Sequence, residues 1–386
     1  MGLRNERLYF IDNLRVFIIY LVIALHTAMG YMTYAPEWWY VVDHQRSLAF
    51  DIFVLIVDVF IMPAMFFFAG YFAMPSLLRS GAVGFMGDKL RRIVLPWIVG
   101  VLFLAPPISY MILFSRSPQA PDYIDFWFNK FFGPYYQHAH YWFLGVLALF
   151  FLLLTLAHQW KPEAFEPEIM ARKPAIWTFA LFAAATTAAF IVGNIFYPAD
   201  AWVNAGYLFM LQPVRFVMYA LYFLFGVYGW KQGWFTAGGY QPSLAGWSLF
   251  GVAACILFIL YRLNFLAPAN LAEKAGHGAV HAIFSMAALF ALIALFQRFV
   301  DNGAWLWRRL SHHSYGIYYL HQLVLLPLAY LLKGIDISPW LKFSIVSVST
   351  MAICFFVLEI TKMAGGRRNR RDAVQWREET ERALIR

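Results

Sequence analysis

Long apolar segments recur along the whole chain and constrain its fold more than any other feature. A helix needs about 20 apolar residues to cross a bilayer, and the sequence contains about ten such segments. Open sheets cannot satisfy their backbone polar groups in lipid, and the segments are too long for barrel strands. The sequence therefore predicts an all-α integral membrane protein, a bundle of transmembrane helices. The predicted spans lie near 14–34, 51–74, 93–114, 141–158, 175–197, 212–230, 244–262, 279–300, 314–332 and 340–361.

The low charge content supports this fold class. Only 13% of the 386 residues are charged, against about 25% in a soluble domain. So few charges cannot cover the surface of a soluble globule. Cys255 and Cys354 both lie in apolar segments without metal-ligand spacing, and they imply no disulfide framework.

Basic residues fall mainly in alternate loops, which predicts the orientation of the bundle. Loops rich in Lys and Arg stay in the cytoplasm, so both termini are predicted to be cytoplasmic. The net charge of +9 then reflects topology, and nucleic-acid binding is not expected. We expect a multi-pass membrane domain over 1–362 and a basic cytoplasmic tail over 363–386, which can contact anionic lipids. The cytoplasmic set is Arg4, Arg7, Arg79, Lys89, Arg91, Arg92, Lys161, Arg172, Lys173, Lys231, Arg298, Arg308, Arg309 and the C-terminal cluster.

The first span carries ionisable groups at both ends, in "IDNLRVFIIYLVIALH". Arg15 and His26 are eleven residues apart, which places them on one helical face about 16 Å apart. Asp12 lies one turn below Arg15 and is predicted to pair with it. His26 is suited to accept a proton from a hydroxyl or to carry an acyl group. The alternative is that Arg15 reaches the interface and His26 bonds a neighbouring carbonyl.

Basic residues also stand at the start of the third span. Lys89, Arg91 and Arg92 have a topological role, and clustered cations beside a cavity also bind phosphates. The sequence therefore predicts a phosphate-bearing cytoplasmic cosubstrate here.

Histidines and aromatic residues occur at two further span ends. His138, His140 and Trp142 open the fourth span, where they suit sugar stacking or hydroxyl binding; an interfacial aromatic belt is the alternative. In the ninth span His321 lies one turn after Tyr318, either as a substrate-binding pair or as a buried, satisfied histidine. We predict these five residues to bind substrate.

The remaining intramembrane charges are predicted to be structural. Asp58 needs a partner, and Asp51, Arg215 and Glu359 are further charges of this kind. Glu273, His277 and His281 share a helical face that resembles a metal site, but there is no HExxH pattern and two glycines weaken the helix. No metal is expected.

Five motifs together resemble the bacterial acyltransferase family 3, polytopic membrane O-acyltransferases. They are "FIDNLRVFIIYLVIALH", "FFFAGYF", "DKLRRIVLP", "HYWFLGVLALF" and "SYGIYYLH", in order across residues 9–321. The tract from Tyr9 to Pro96 looks closest to the glucan biosynthesis branch, which is associated with succinylation of periplasmic glucans.

The resemblance implies the reaction and its participants. It implies an acyl donor from the cytoplasm, acetyl-CoA or succinyl-CoA, and an acceptor hydroxyl on a carbohydrate or glycan beyond the membrane. It implies that His26 is essential, that Arg15 is its motif partner, and that Arg91 and Arg92 lie near the donor.

Two other classes of function stay open from the residues. A transporter or flippase for an anion or a lipid-linked sugar also uses intramembrane Asp, Arg and His, although it often shows paired repeats, which the sequence lacks. A membrane metalloenzyme based on Glu273, His277 and His281 is the weaker alternative. The acyl group, the acceptor, the oligomeric state and the choice between direct transfer and an acyl-histidine are left open.

Overall fold

The chain folds into a bundle of long helices in a computed structural model. The structure describes residues 7–168, 170–236 and 238–384, with side chains up to residue 363. The α-helices are α1 Tyr9–Ala28, α2 Leu48–Val57, α3 Ile61–Lys89, α4 Leu95–Val99, α5 Ala105–Phe114, α6 Tyr123–Asp125, α7 Trp142–Trp160, α8 Ile176–Phe196, α9 Pro213–Lys231, α10 Leu244–Asn264, α11 Leu271–Phe299, α12 Trp305–Leu332 and α13 Pro339–Leu384. Short 3₁₀ turns cover Met29–Tyr31, Ala139–Tyr141 and Pro162–Phe165, and π-helical segments cover Leu90–Val94, Gly100–Leu104 and Phe126–Phe131.

Eight helical stretches of the described chain are long and apolar enough to cross a membrane. One of them, Leu48–Phe114, has 67 residues and contains both the second and the third predicted span. Helix α9 occupies the sixth predicted span but is not among the eight. The prediction of a helical, multi-pass membrane protein is thus confirmed at eight candidate spans, and the orientation of the termini stays a prediction.

The long stretch from Leu48 to Phe114 reverses direction at Gly81. Gly81 has φ 66° and ψ 169°, a left-handed conformation that glycine adopts without steric cost. The segment after it runs antiparallel to α7: Phe85 packs on Phe151 in the middle of α7, whereas Trp97 meets Gly145 near its start. The reversal explains how the stretch from Leu48 to Phe114 supplies two of the predicted spans.

A small β-hairpin is the exception to the all-α prediction. Val203–Ala205 pairs antiparallel with Phe209–Leu211 in the connection between α8 and α9. The hairpin lies outside the candidate spans, where water can satisfy its edges. Phe209 stacks on Trp97 with 5.5 Å between ring centroids, so the hairpin covers one end of the third predicted span.

Helix α13 continues to Leu384. The backbone of the predicted basic tail is therefore helical up to that residue, and its side chains lie outside the described part of the chain. The helical backbone leaves open whether this segment contacts lipid.

Helices α3 and α9 approach each other through glycine. Gly70 faces the carbonyl oxygen of Phe223, and Gly226 faces that of Phe67, so that a Cβ at either position would overlap a backbone oxygen. Small residues let the backbones of membrane helices pack closely, and this contact anchors α3 beside the site described below.

Replacing Gly70 by alanine is expected to separate α3 from α9. Overpacking costs about 1–3 kcal/mol, and here the obstacle is backbone, which cannot rotate away. Thermal unfolding in detergent should show a lower midpoint for Gly70→Ala. Gly87→Ala is the matched control in the same helix, because nothing lies within 4 Å of its Cβ position; equal midpoints for the two variants would contradict the expectation.

Candidate active site

Three histidines from three separate elements meet inside the bundle. His26 stands in the last turn of α1, His140 in the 3₁₀ turn before α7, and His321 in the middle of α12. His26 Nδ1 lies 2.8 Å from His321 Nε2, and the rings of His140 and His321 are 4.4 Å apart. His140 and His321 are buried, whereas His26 is partly exposed. His26 is therefore the member of the cluster that a substrate can reach.

The hydrogen bonds define which nitrogen of each ring carries the proton. His321 Nδ1 lies 2.6 Å from the carbonyl oxygen of Tyr318, which only accepts, so this nitrogen donates. In a neutral ring His321 Nε2 then accepts, and His26 Nδ1 donates to it. The Gln322 amide nitrogen, 3.4 Å from His26 Nδ1, then has no acceptor at that ring nitrogen. His26 Nε2 is consequently left with a free lone pair, the form that a general base or a nucleophile requires.

His140 contributes a second free acceptor. Its Nε2 donates to the carbonyl oxygen of Tyr319 at 3.2 Å, so its Nδ1 carries a lone pair. That nitrogen and Gln322 Oε1 are buried without a hydrogen-bond partner among the described residues. Unpaired buried acceptors are unfavourable, and an enclosed water molecule is the usual donor at such a site.

The backbone that carries His140 is locally strained. Ala139 has φ 47°, in the left-handed region that non-glycine residues seldom adopt. Tyr318 fixes this turn, because its hydroxyl donates to the His140 carbonyl oxygen. Strain of this kind persists where the surrounding structure enforces it, and here it turns the His140 ring toward His321.

An aromatic ring closes one side of His26. Trp39 stacks on it with 5.5 Å between centroids and an interplanar angle of 28°. Trp39 comes from the connection between α1 and α2, and Arg116 donates to its carbonyl oxygen at 2.5 Å. Sequence reasoning missed Trp39, because its segment has no periodic pattern. It also missed Gln322, for which adjacency to His321 was the available signal.

Two tyrosines of α12 hold this helix against the third predicted span. Tyr315 donates to the carbonyl oxygen of Arg92 at 2.8 Å, and Tyr319 to that of Pro96 at 2.9 Å. Both acceptors lie in or next to the π-helical segment Leu90–Val94, and π-helical turns are frequent at functional sites. These bonds fix the register of His321 relative to the basic residues of that span.

The predicted ion pair between Asp12 and Arg15 is not formed. Asp12 instead accepts from Arg7 Nε at 2.8 Å, because Arg7 in the preceding segment reaches the same carboxylate. Arg15 is partly buried on α1, and no ion pair joins it to another described residue. The structure therefore gives Asp12 no orienting role toward Arg15.

The three basic residues predicted to bind phosphate differ in their surroundings. Arg92 Nε pairs with Asp88 at 2.7 Å and Lys89 Nζ with the same carboxylate at 3.3 Å. The Lys89 ammonium also lies 4.8 Å from the centre of the Phe85 ring. Arg91 is exposed. Lys89 and Arg92 thus have local partners already.

Two of the predicted substrate-binding residues lie outside the histidine cluster. His138 is buried, and its Nε2 lies 2.9 Å from the Tyr136 hydroxyl; burial lowers the pKa of His138 to about 4, so it is neutral at physiological pH. Trp142 stacks on Tyr219. The structure thus brings His140, Tyr318 and His321 to His26 and places His138 and Trp142 elsewhere.

The charges predicted to be structural mostly have structural partners. Arg215 binds Asp58 at 2.5 Å and Asp200 at 2.8 Å, which supplies the partner that Asp58 needs. Asp51 accepts from the backbone nitrogens of Thr33 and Tyr34.

The remaining charges predicted to be structural or metal-binding lie in the first turns of α11 and in the middle of α13. Glu359 binds His313 at 3.1 Å. Glu273 accepts from the backbone nitrogen of Ala269 and from the Asn270 side chain, although it shares α11 with His277 and His281. Within the described residues no group of three or more His, Cys, Asp or Glu is arranged to hold a metal ion.

Comparison with known proteins points to one family. The model of the acyltransferase domain family matches residues 8–359. The curated "Glucans biosynthesis protein C" of Salmonella heidelberg (strain SL476) is 23% identical over 262 residues, which cover 67% of this chain and 66% of the relative. The protein of the same name from Salmonella typhi is 23% identical over 269 residues, with the same coverage. The matched region thus spans just under two thirds of these relatives, and no solved structure matches.

Proposed function

Because the chain belongs to the acyltransferase 3 family of membrane acyltransferases, we propose that it moves an acyl group from acyl-CoA to a carbohydrate hydroxyl, with His26 as the reacting histidine. The donor is acetyl-CoA or succinyl-CoA on the cytoplasmic side of the bacterial inner membrane, and the acceptor is a glycan on the other side. The observation that carries this proposal is the chain of hydrogen bonds from the Tyr318 carbonyl through His321, which leaves His26 Nε2 free.

The position of His26 suits a reaction between two compartments. His26 is 17 residues after the start of α1, about 25 Å along the helix axis. The end of the bundle that carries Arg7, Arg308 and Lys362, here called the basic end, lies at the start of α1 and α12. The acyl group therefore enters from the basic end, and the acceptor approaches from the opposite end.

In direct transfer His26 acts as a general base. Its Nε2 takes the proton of the acceptor hydroxyl while the oxygen attacks the thioester carbonyl. The carbon–sulfur bond then breaks, and the imidazolium returns the proton to the leaving thiolate. His321 accepts a hydrogen bond from His26 Nδ1 throughout and stabilises the imidazolium.

A covalent route uses the same lone pair. His26 Nε2 attacks the thioester carbonyl, the carbon–sulfur bond breaks, and CoA leaves as the thiolate. The acyl-imidazolium then passes its acyl group to the hydroxyl oxygen, whose proton neutralises the thiolate, and His26 returns to the neutral form. Incubation of the purified protein with acyl-CoA in the absence of acceptor separates the routes, since only the covalent one adds an acyl mass to the peptide that contains His26. Arg15 lies between the basic end and His26 on α1, and we assign it to the path of the acyl chain.

The test of the proposed function is acyl transfer by the purified protein in lipid nanodiscs. Labelled acyl-CoA and a neutral glucan are supplied, and release of CoA and labelling of the glucan are measured together. Equal amounts of both products are expected. Uptake of an anion or a lipid-linked sugar without consumption of acyl-CoA would instead support a transporter.

Replacing His321 by phenylalanine is expected to lower kcat about 100-fold. His26 Nδ1–H loses its acceptor, the ring adopts the other tautomer, and Nε2 becomes protonated. The KM for acyl-CoA should remain native, because His321 does not contact the donor in this scheme. His321→Gln keeps an acceptor oxygen and is expected to restore part of kcat. Equal kcat values for the two variants would show that His321 only fills space.

A further inference from the structure

A cavity of about 310 Å³ opens at the basic end between the first turns of α12 and the last described side chains of α13. Its volume lies at the lower end of the range for ligand sites, about 300–1,000 Å³. The residues that define its chemistry are Trp305, Arg308, Arg309, His312, Glu359 and Lys362.

The cavity has an excess of positive charge. Three cationic side chains, Arg308, Arg309 and Lys362, face one carboxylate, Glu359. Glu359 is already bound to Arg309 at 3.6 Å and to His313. Arg308 and Lys362 have no ion pair within the described side chains, so their charge is available to an anion. The first turn of α12 adds the positive end of a helix dipole.

An exposed aromatic ring lies beside these cations. The Trp305 side chain is 61% exposed, and the Arg309 guanidinium lies 4.6 Å from the centre of its ring. A flat aromatic surface next to guanidinium groups binds a heteroaromatic base by stacking and its phosphates by charge-assisted hydrogen bonds. The cavity therefore combines the two features that recognise a nucleotide.

The cavity lies on the same helix as His321 of the histidine cluster. His313 at its inner edge and His321 lie eight residues apart on α12, about 12 Å along the axis. Tyr315 between them binds the Arg92 carbonyl oxygen. A ligand held in the cavity by its phosphates thus has its extended arm directed along α12 toward His26.

We propose that this cavity binds the adenine and phosphate groups of the acyl donor, CoA, with Arg308 and Lys362 on phosphate and Trp305 under the base. This assignment rests on the proposed function. It adds donor contacts on α12 and α13 to those predicted at Lys89, Arg91 and Arg92, where Lys89 and Arg92 share the Asp88 carboxylate. An anionic lipid headgroup offers the same phosphate chemistry, and the experiment separates the two sources.

The test measures CoA binding rather than transfer. Full-length protein in phosphatidylcholine nanodiscs is titrated with CoA by calorimetry, with adenosine 3′,5′-bisphosphate as competitor. The double variant Arg308→Gln/Lys362→Gln is expected to bind CoA about 100-fold more weakly, since each lost hydrogen bond to a charged group accounts for about tenfold or more. Arg79→Gln/Arg298→Gln removes two exposed cations from the same end of the bundle and should bind CoA with native affinity.

A second measurement needs no variant. Photolysis of native protein with 8-azido-CoA should label the peptide that spans Trp305 to His313. Labelling confined to other peptides would overturn the proposal, as would native affinity in the Arg308→Gln/Lys362→Gln variant or an equal loss in the control pair. Loss of bound phosphatidylglycerol from the cavity variant, with CoA affinity unchanged, would assign the cavity to lipid.

The proposal for the cavity and the proposal for His26 can be contradicted independently of each other. His26→Ala protein should bind CoA with native affinity, because His26 does not touch the nucleotide. If the Arg308→Gln/Lys362→Gln variant binds CoA weakly while His26→Ala keeps full acyl transfer, the donor site is supported and the proposed role of His26 is contradicted.

Discussion

Substitution of His26 by alanine is expected to lower acyl transfer by about 10²–10⁴-fold if the ring acts as a base. If His26 carries the acyl group, the substitution removes the nucleophile and transfer stops altogether. The physical reason is the same in both cases. The hydrogen bond between His26 Nδ1 and His321 leaves the lone pair of His26 Nε2 free, and the His26 ring is partly exposed, so this nitrogen can meet the substrate.

The His26 experiment needs a folding control and a matched histidine. His158 stands in the last turn of α7 against Phe165, remote from the cluster, and His158→Ala should retain native transfer. Thermal unfolding of both variants establishes that each is folded. A folded His26→Ala protein with native transfer would exclude His26 from the chemistry.

Loss of the lysine of a buried ion pair is expected to have the largest effect on stability. Lys342 Nζ lies 2.8 Å and 3.0 Å from the two carboxylate oxygens of Asp43, and their side chains are 0% and 4% exposed. Lys342→Met leaves a buried carboxylate without its counter-charge, which costs about 3–5 kcal/mol. A marked fall in the unfolding midpoint in detergent is the expected result.

The double variant Lys342→Met/Asp43→Asn identifies the cause. It removes both charges and keeps an oxygen at position 43 for the Gln45 backbone nitrogen, so it should recover most of the lost stability. The pair also holds the connection that presents Trp39 to His26, and the single variant should therefore lose transfer at temperatures where it is still folded. Equal midpoints for the single variant and the native protein would show that water replaces the lysine.

The helical class and most span positions could be predicted from hydropathy, whereas the contacts within the bundle could not. The predicted seventh span, 244–262, corresponds to α10 at Leu244–Asn264, because lipid requires a continuous helix of nearly fixed length. The hairpin at Val203–Ala205 lies outside this constraint, and its short strands give no periodic signal.

The residues of the candidate site could be predicted in part, because the lipid environment makes ionisable side chains within apolar segments conspicuous. His26, His140 and His321 stand out as ionisable groups in apolar surroundings, and each was a candidate. Their meeting depends on how α1, α7 and α12 pack, and His26 and His321 are 295 residues apart. The predicted ion pair between Asp12 and Arg15 does not form, because spacing along one helix does not account for a competing residue from outside that helix. Here that residue is Arg7, which binds the Asp12 carboxylate.

The contacts of α1 determine the order in which the bundle can be completed during synthesis. Asn13 donates to the carbonyl oxygens of Val300 and Asn302, the Phe10 backbone nitrogen donates to Asp301, and His26 donates to His321. Helix α1 leaves the ribosome before every one of these partners exists. Its polar side chains must therefore remain with the insertion machinery, or beside water, until α11 and α12 arrive, and assembly of the histidine cluster is a late, post-insertion event.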